Sequence, residues 1–285
     1  MKMYIIGGSA SQTIAEDLSK QTKIPLAETE IFRFPDGELY VCIKQDITNR
    51  DVTIVQTTYP DGNIIELLLL LDACKRAKAK NITTVIPYFG YARQDKQFKK
   101  GEPISAQALA TLFSVNATEV INIDPHKDYI KDFFSIPAKN ITAVPLLAQY
   151  LKNKKIDIIL APDKGAMDRA KHAANLLDCD VDYLEKTRID GSTITMKTKT
   201  LDVKDLSVAI IDDIISTGGT MAAAIKELKN QQASSVYVAC THGLFAGNAI
   251  EKLEEAGCDE IIATDTIQSS YSKVKIAPLL ASLFG

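Results

Sequence analysis

The sequence predicts an α/β protein with largely parallel sheets, and three observations carry that prediction. Short apolar runs alternate with helix-forming segments from end to end of the chain. One strand–loop–helix pattern occurs twice, at residues 52–62 (VTIVQTTYPDG) and 208–218 (VAIIDDIISTG). Gly62 and Gly218 stand 156 positions apart, as do Gln56 and Asp212. In the second copy the apolar run ends in two adjacent carboxylates, Asp212 and Asp213. A small-residue turn, Ser216 to Thr220, and a helix-forming run follow.

The apolar runs place strands at residues 3–6, 52–56, 84–88, 119–123, 156–161, 206–212, 236–240 and 260–264. Helices are expected at 11–20, 64–79, 105–114, 144–152, 168–177, 220–230 and 247–256. The recurrence reads as two copies of one α/β unit with a boundary near residue 143, and 285 residues suit two domains of ordinary size. Only the second copy keeps the diacid and the Gly-Gly-Thr turn, so the first has lost that site.

Composition narrows the function classes. With 46% apolar and 24% charged residues the chain reads as a soluble globular protein. A net charge of −3 gives no nucleic-acid footprint, so any anion site must be local. The longest apolar run, Leu67 to Leu71, lies between Glu66 and Asp72 and is far short of a membrane span. The start, MKMYIIGGSA, turns polar too soon for a signal peptide. Five scattered cysteines without a C-x-x-C pair read as free thiols of a cytoplasmic protein, with Cys42, Cys74 and Cys240 among apolar neighbours.

Residues 208–220 say most about chemistry. The turn's N–H groups and the dipole of the following helix favour a phosphate dianion. Two carboxylates beside it repel phosphate and suit sugar hydroxyls, or a metal that neutralises them. A phosphorylated sugar with a free diol meets both demands. An ordinary Ser216 or Thr217 helix cap explains the turn but not a costly Asp-Asp pair at a strand end. No Lys follows Gly218-Gly219, so this is not a P-loop, and G-x-G-x-x-G is absent.

Other candidates sit at turns and strand ends. Phe34-Pro35-Asp36-Gly37-Glu38 is a turn, and beside a nucleotide it offers a ring and two acceptors. Three aromatics, Tyr88, Phe89 and Tyr91, precede Arg93, Gln94 and Asp95, and the Arg93 fork suits phosphate oxygens. His126 and Asp163 each follow a strand end, where open α/β sheets place ligands, and such a pair suits Mg²⁺ with water and phosphate. Lys186-Thr187-Arg188 lies in a polar stretch expected to be a flexible loop just upstream of the diacid strand.

Together these pieces resemble the ribose-phosphate pyrophosphokinase (PRPP synthetase) family over nearly the whole chain. The stretches that carry the resemblance include Phe34 to Glu38, Tyr91 to Lys96 (YARQDK), Phe133 to Pro137 (FFSIP), Lys186-x-Arg188 and the diacid turn. The diacid turn alone is shared with the wider phosphoribosyltransferase group. One departure is Lys164-Gly165-Ala166 after Asp163, where the family usually has x-Gly-Gly.

The resemblance implies two phosphoribosyltransferase-like domains with mostly parallel central sheets, related by pseudo-twofold symmetry. They would span 1–143 and 144–271, with a tail, 272–285, returning to the first. It implies a cytoplasmic transferase of nucleotide biosynthesis that moves the β,γ-diphosphoryl group of ATP to the C1 hydroxyl of ribose 5-phosphate. Mg²⁺ is the implied cofactor, and a homo-oligomer, a dimer or a hexamer of dimers, would share the ATP site. Lys186 and Arg188 would be catalytic. Phe34, Asp36, Gly37, Glu38, Arg93, Gln94, Asp95 and His126 would contact ATP. Arg188, Asp212, Asp213, Ser216, Thr217, Gly218, Gly219 and Thr220 would hold ribose 5-phosphate, and His126 and Asp163 the metal.

Overall fold

The computed structural model describes residues 3–188, 194–198 and 202–284, without the side chains of 186–188 and 194–198. It contains two compact units. The first comprises Met1–Thr142 and Ile276–Gly285. In it run β1 (Met3–Gly7), α1 (Gln12–Thr22), β2 (Thr29–Arg33), β3 (Leu39–Ile43), β4 (Asp51–Val55) and α2 (Gly62–Arg76). There follow β5 (Asn81–Ile86), α3 (Ser105–Ser114), β6 (Glu119–Ile123) and β7 (Ala138–Ile141). The strand order is β1-β4-β5-β6-β7, with every pairing parallel, and β2–β3 form a separate antiparallel hairpin.

The second unit, Ala143–Lys275, runs α4 (Val144–Leu151), β8 (Ile158–Ala161), α5 (Met167–Leu177), β9 (Asp180–Arg188), β10 (Ile194–Thr198) and β11 (Ser207–Ile215). It continues through α6 (Gly219–Asn230), β12 (Ser235–Gly243), α7 (Ala249–Glu255), β13 (Glu260–Thr264) and β14 (Ser272–Val274). Its sheet has the order β10-β9-β8-β11-β12-β13-β14. Because β14 pairs with β13, the returning segment begins only at Ile276. It carries α8 (Ala277–Ala281), which lies against α1.

The two sheets share one plan. The order β8-β11-β12-β13-β14 repeats β1-β4-β5-β6-β7, all parallel. Beyond β8 the second sheet adds β9 and β10, whereas the first has only a parallel bridge from Ile5 to Leu26. The β2–β3 hairpin occupies the place in the chain that β9 and β10 occupy in the second unit.

Packing follows from strand periodicity. On β11, Val208 and Ile210 join an apolar cluster with Met221, Ala224, Ile225 and Leu228 of α6. Ala209 and Ile211 face the other way, into a cluster with Ala170, Ala173 and Ala174 of α5. Helices thus cover both faces, as a parallel sheet requires.

Two expectations are corrected. The diacid strand does not stop at Asp212: β12 pairs with it as far as Gly243, which carries β11 on to Ile215. Pairing with β8 ends at Ile210, so the acids emerge on an edge open toward β8. The stretch containing Lys186 and Arg188 is not a loop, since its backbone pairs with β10, Lys186 opposite Met196 and Arg188 opposite Ile194. Among the described residues no helix is long and apolar enough to cross a membrane.

Candidate active site

From β8 the chain goes to β9 on one side and then returns to β11 on the other. The direction of winding therefore reverses between β8 and β11, and ligands of open α/β sheets bind at the carboxyl ends of strands at such a reversal. Asp163 and Arg169 come from the β8–α5 connection and the first turn of α5. Asp212 and Asp213 come from β11, and Ser216 to Thr220 lead into α6.

Gly218 is the N-cap of α6, with φ of +72° and no side-chain cap. A Cβ there would sit 3.1 Å from the Ala249 carbonyl oxygen and 3.3 Å from its Cβ, so both the left-handed backbone and the packing of α7 require glycine. At Gly219 a Cβ would meet nothing within 4 Å. The helix N-terminus, with its unpaired N–H groups and positive dipole end, is thus uncapped by Ser216 or Thr217 and open to an anion.

The diacid is electrostatically strained. Asp213 is buried, and its N–H donates to Asp212 Oδ1 at 2.9 Å. Burial, then the neighbouring Asp213 charge, pushes the Asp212 carboxyl well above the usual range, while Arg169 opposes the rise. Arg169 Nη1 stands 3.5 Å from Asp212 Oδ1 and 3.7 Å from Asp213 Oδ1. Burial, with Asp212 opposite in the ladder, also raises the Cys240 thiol. Sequence reasoning missed Arg169, whose only signal was its place six residues after Asp163 in the same strand–helix connection.

In the first unit the matching strand end is tied up from within. Gln56, at the position matching Asp212, is buried, and its Nε2 donates to Glu66 Oε1 at 2.9 Å. The Ser9 N–H donates to the same oxygen and the Ser9 hydroxyl to Oε2, each at 2.6 Å. A carboxylate of α2 thus binds the donors of the β1–α1 connection and of the strand end. The sequence showed the lost diacid but not this contact, because Glu66 reads only as a charge beside an apolar run.

The nucleotide candidates lie at two places in the first unit. Phe34 to Glu38 form the tip of the β2–β3 hairpin, closed by the Phe34 N–H donating to the Glu38 carbonyl at 2.8 Å. Gly37 has φ of +91°, which the turn demands. Phe34 is exposed and packs edge-on against Phe32 and Tyr40, making an open aromatic face, with Asp36 and Glu38 exposed beside it. Arg93 is exposed after β5. Gln94 Nε2 lies 3.3 Å from Glu102 Oε2, pinning the segment that follows. Asp95 is buried and accepts a 2.5 Å hydrogen bond from the Tyr129 hydroxyl, a partner the sequence did not suggest.

His126 is half-buried just past β6 in the first unit, and Asp163 is exposed just past β8 in the second. Asp163 Oδ1 caps its own turn by accepting the Gly165 N–H at 2.8 Å, leaving Oδ2 for a cation. No cluster of three or more metal-ligating side chains occurs among the described residues. An exposed carboxylate such as Asp163, with phosphate and water completing the shell, suits Mg²⁺. The side chains of Lys186 and Arg188 lie outside the described residues. Cys74 and Cys240 are buried, but Cys42, expected among apolar neighbours, is only half-buried because its hairpin stands apart from the sheet.

A diacid strand, an open phosphate-sized cup at a helix N-terminus and the doubled sheet plan define phosphoribosyltransferase-type domains. The family model for the N-terminal domain of ribose phosphate pyrophosphokinase matches residues 3–116, and that for the phosphoribosyl transferase domain matches residues 131–275. The ribose-phosphate pyrophosphokinase of Methanosarcina acetivorans is 44% identical, over 98% of this chain and 98% of the relative. That of Methanosarcina mazei is 43% identical, over 98% of this chain and 94% of the relative. The phosphoribosylpyrophosphate synthetase structure from Mycobacterium smegmatis superposes with a TM-score of 0.89 at 30% identity, covering 100% of this chain and 98% of that one. The chain belongs to the ribose-phosphate pyrophosphokinase family.

Proposed function

We propose that the protein transfers the β,γ-diphosphoryl group of ATP to the C1 hydroxyl of ribose 5-phosphate, giving AMP and phosphoribosyl diphosphate. The observation that carries the reading is the asymmetry of the two strand ends. The second unit presents the diacid beside an open turn, while the first has Gln56 in place of Asp212, bonded to Glu66. One sugar phosphate per chain is therefore expected, with the hairpin and the Arg93 stretch of the first unit left for a nucleotide. Family membership over the full length supports the same division.

In this reading the Ser216–Thr220 turn would hold the 5-phosphate, and Asp212 and Asp213 would accept hydrogen bonds from the ribose diol. Phe34 would stack on the adenine, Asp36 and Glu38 would accept from its amino group, and Arg93 would pair with phosphate oxygens. Asp95, tied to Tyr129, would hold that stretch in place. The C1 oxygen bonds to the β-phosphorus as the bond from that phosphorus to the α,β-bridging oxygen breaks and AMP leaves. Such transfers rely on positioning and charge neutralisation rather than covalent catalysis. Lys186 and Arg188 would supply positive charge at the transferring group and exclude water. Mg²⁺, held by His126 and Asp163, would neutralise phosphate charge when bound. A cytoplasmic homo-oligomer with a shared ATP site completes the proposal.

Pure protein incubated with Mg²⁺, ATP and ribose 5-phosphate tests it. AMP and phosphoribosyl diphosphate should form in equal amounts. ADP formation, or consumption of phosphoribosyl diphosphate with a free base, would refute it.

A further inference from the structure

We propose that the segment from Leu244 to Lys252 is a brace that aims the phosphate turn, with Phe245 as its positioning residue. This rests on the reading of the Ser216–Thr220 turn as the site of the 5-phosphate.

The carbonyl groups of the turn carry the inference. The Ile215 carbonyl accepts the N–H groups of Leu244 and Phe245 at 3.1 and 3.0 Å, and the Ser216 carbonyl accepts that of Ala246 at 3.0 Å. The Thr217 carbonyl accepts Lys252 Nζ, from α7, at 3.4 Å. Successive carbonyls of the turn thus all point at the β12–α7 connection and the helix it leads into. In a planar trans peptide the C=O and the N–H point in opposite directions. The N–H groups of Ser216, Thr217 and Gly218 therefore turn away from the brace, on the side open to an anion. Fixing the acceptors fixes the donors that a phosphate dianion uses.

The brace is built on a strained residue. The N–H groups of Leu244, Phe245 and Ala246 all reach the end of β11, a convergence that needs a left-handed residue in the run. Phe245 is that residue, with φ of +44°, which is rare for a bulky side chain. Packing holds it there. Its ring lies over Gly243, where an added Cβ would come within 2.4 Å of Phe245 Cε2. The ring also packs edge-on against Tyr271 at 5.5 Å, and the Tyr271 hydroxyl donates to Glu254 Oε1 of α7 at 3.1 Å. Gly218 rests on Ala249 at the start of the same helix. Strain held in place by its surroundings beside a binding turn points to a functional constraint on the backbone.

The test compares Phe245→Val and Phe245→Asn with the parent in steady-state kinetics and thermal melts. Both lose the ring and should lower Tm. A β-branched side chain resists positive φ whereas Asn tolerates it, so only Phe245→Val should turn the brace out of line. Phe245→Val should raise KM for ribose 5-phosphate about tenfold or more, the scale of losing a hydrogen bond to a charged group, with kcat and KM for ATP at parental values. Phe245→Asn should keep all three near parental values, whereas a merely structural role would make KM follow Tm in both variants. Lys252→Met removes the last leg of the brace and should raise the same KM about threefold, with Lys252→Arg restoring it. A parental KM for ribose 5-phosphate in folded Phe245→Val, an equal rise in Phe245→Asn, or an equal rise for both substrates would overturn the proposal. Gly219→Ala, which crowds the turn itself, tells two failures apart. If it raises that KM and Phe245→Val does not, only the brace falls. If neither does, the reading of the turn falls and takes the brace with it. Should Phe245→Val not fold, the Lys252 variants decide: a parental KM in Lys252→Met overturns the proposal, and a raised KM that Lys252→Arg restores upholds it.

Discussion

The Gln56 side chain donates to Glu66 at 2.9 Å in the first unit, at the position where the second unit carries Asp212. Two domains with one sheet plan have thereby diverged at the same strand end. One presents carboxylates to a ligand, and the other consumes its own donors on an internal carboxylate.

Glu66→Ala removes the acceptor of three donors, the Ser9 N–H, the Ser9 hydroxyl and Gln56 Nε2. Ser9 is exposed and can turn to water, but leaving the buried Gln56 amide unsatisfied should cost about 1–3 kcal/mol of stability, read from urea unfolding. The KM for ribose 5-phosphate should stay at the parent value. Calorimetry should find one ribose 5-phosphate per parent chain, and two would contradict the loss of the sugar site from the first unit.

The paired glycines before α6 should separate folding from binding. Gly218→Ala forces a side chain into φ of +72° and against Ala249, so it should lose about 1–2 kcal/mol from the backbone alone. Gly219→Ala meets no steric obstacle and should fold as stably as the parent. Its added methyl group should nevertheless raise KM for ribose 5-phosphate by crowding the cup. Thermal melts beside kinetics check both.

Asp212 gives a pH-dependent stability with a definite sign. Its carboxyl is raised in the folded chain, so between the unfolded and folded values the native state binds more protons and stability falls as pH rises. Below the ordinary carboxylate range the penalty vanishes. Asp212→Asn should therefore raise Tm at pH 8 by about 2–4 °C, corresponding to about 1 kcal/mol, with the gain shrinking toward pH 4. The same variant should bind ribose 5-phosphate poorly, which is the exchange of stability for function expected at a binding site.

Lys186→Ala should lower kcat by about a hundredfold, the scale of losing one electrostatic stabiliser, with little change in either KM. Near-parental turnover would remove Lys186 from the transfer step.

Much of this was legible in the sequence. Four of the five parallel strands that the two sheets share were marked by apolar runs in each unit; the fifth, β7 or β14, is a short, half-polar edge strand and was not. The diacid turn was legible because buried adjacent carboxylates conflict with ordinary folding demands, which points to a ligand. The β9–β10 ladder was hidden because its few apolar residues, among them Leu184, Ile194 and Met196, are interleaved with charged and hydroxyl side chains and form no apolar run. Arg169, Glu66 and Tyr129 were invisible for another reason. Each acts through a partner far along the chain, Asp212, Ser9 and Asp95 respectively, and only the folded topology brings those pairs together.

The most direct test of the account follows the β-phosphorus. Pure protein is given Mg²⁺, ribose 5-phosphate and ATP labelled at that atom, and the products are separated. All transferred label should appear in phosphoribosyl diphosphate, with AMP unlabelled. Label recovered in ADP, or no sugar product from folded protein that binds both substrates, would contradict it.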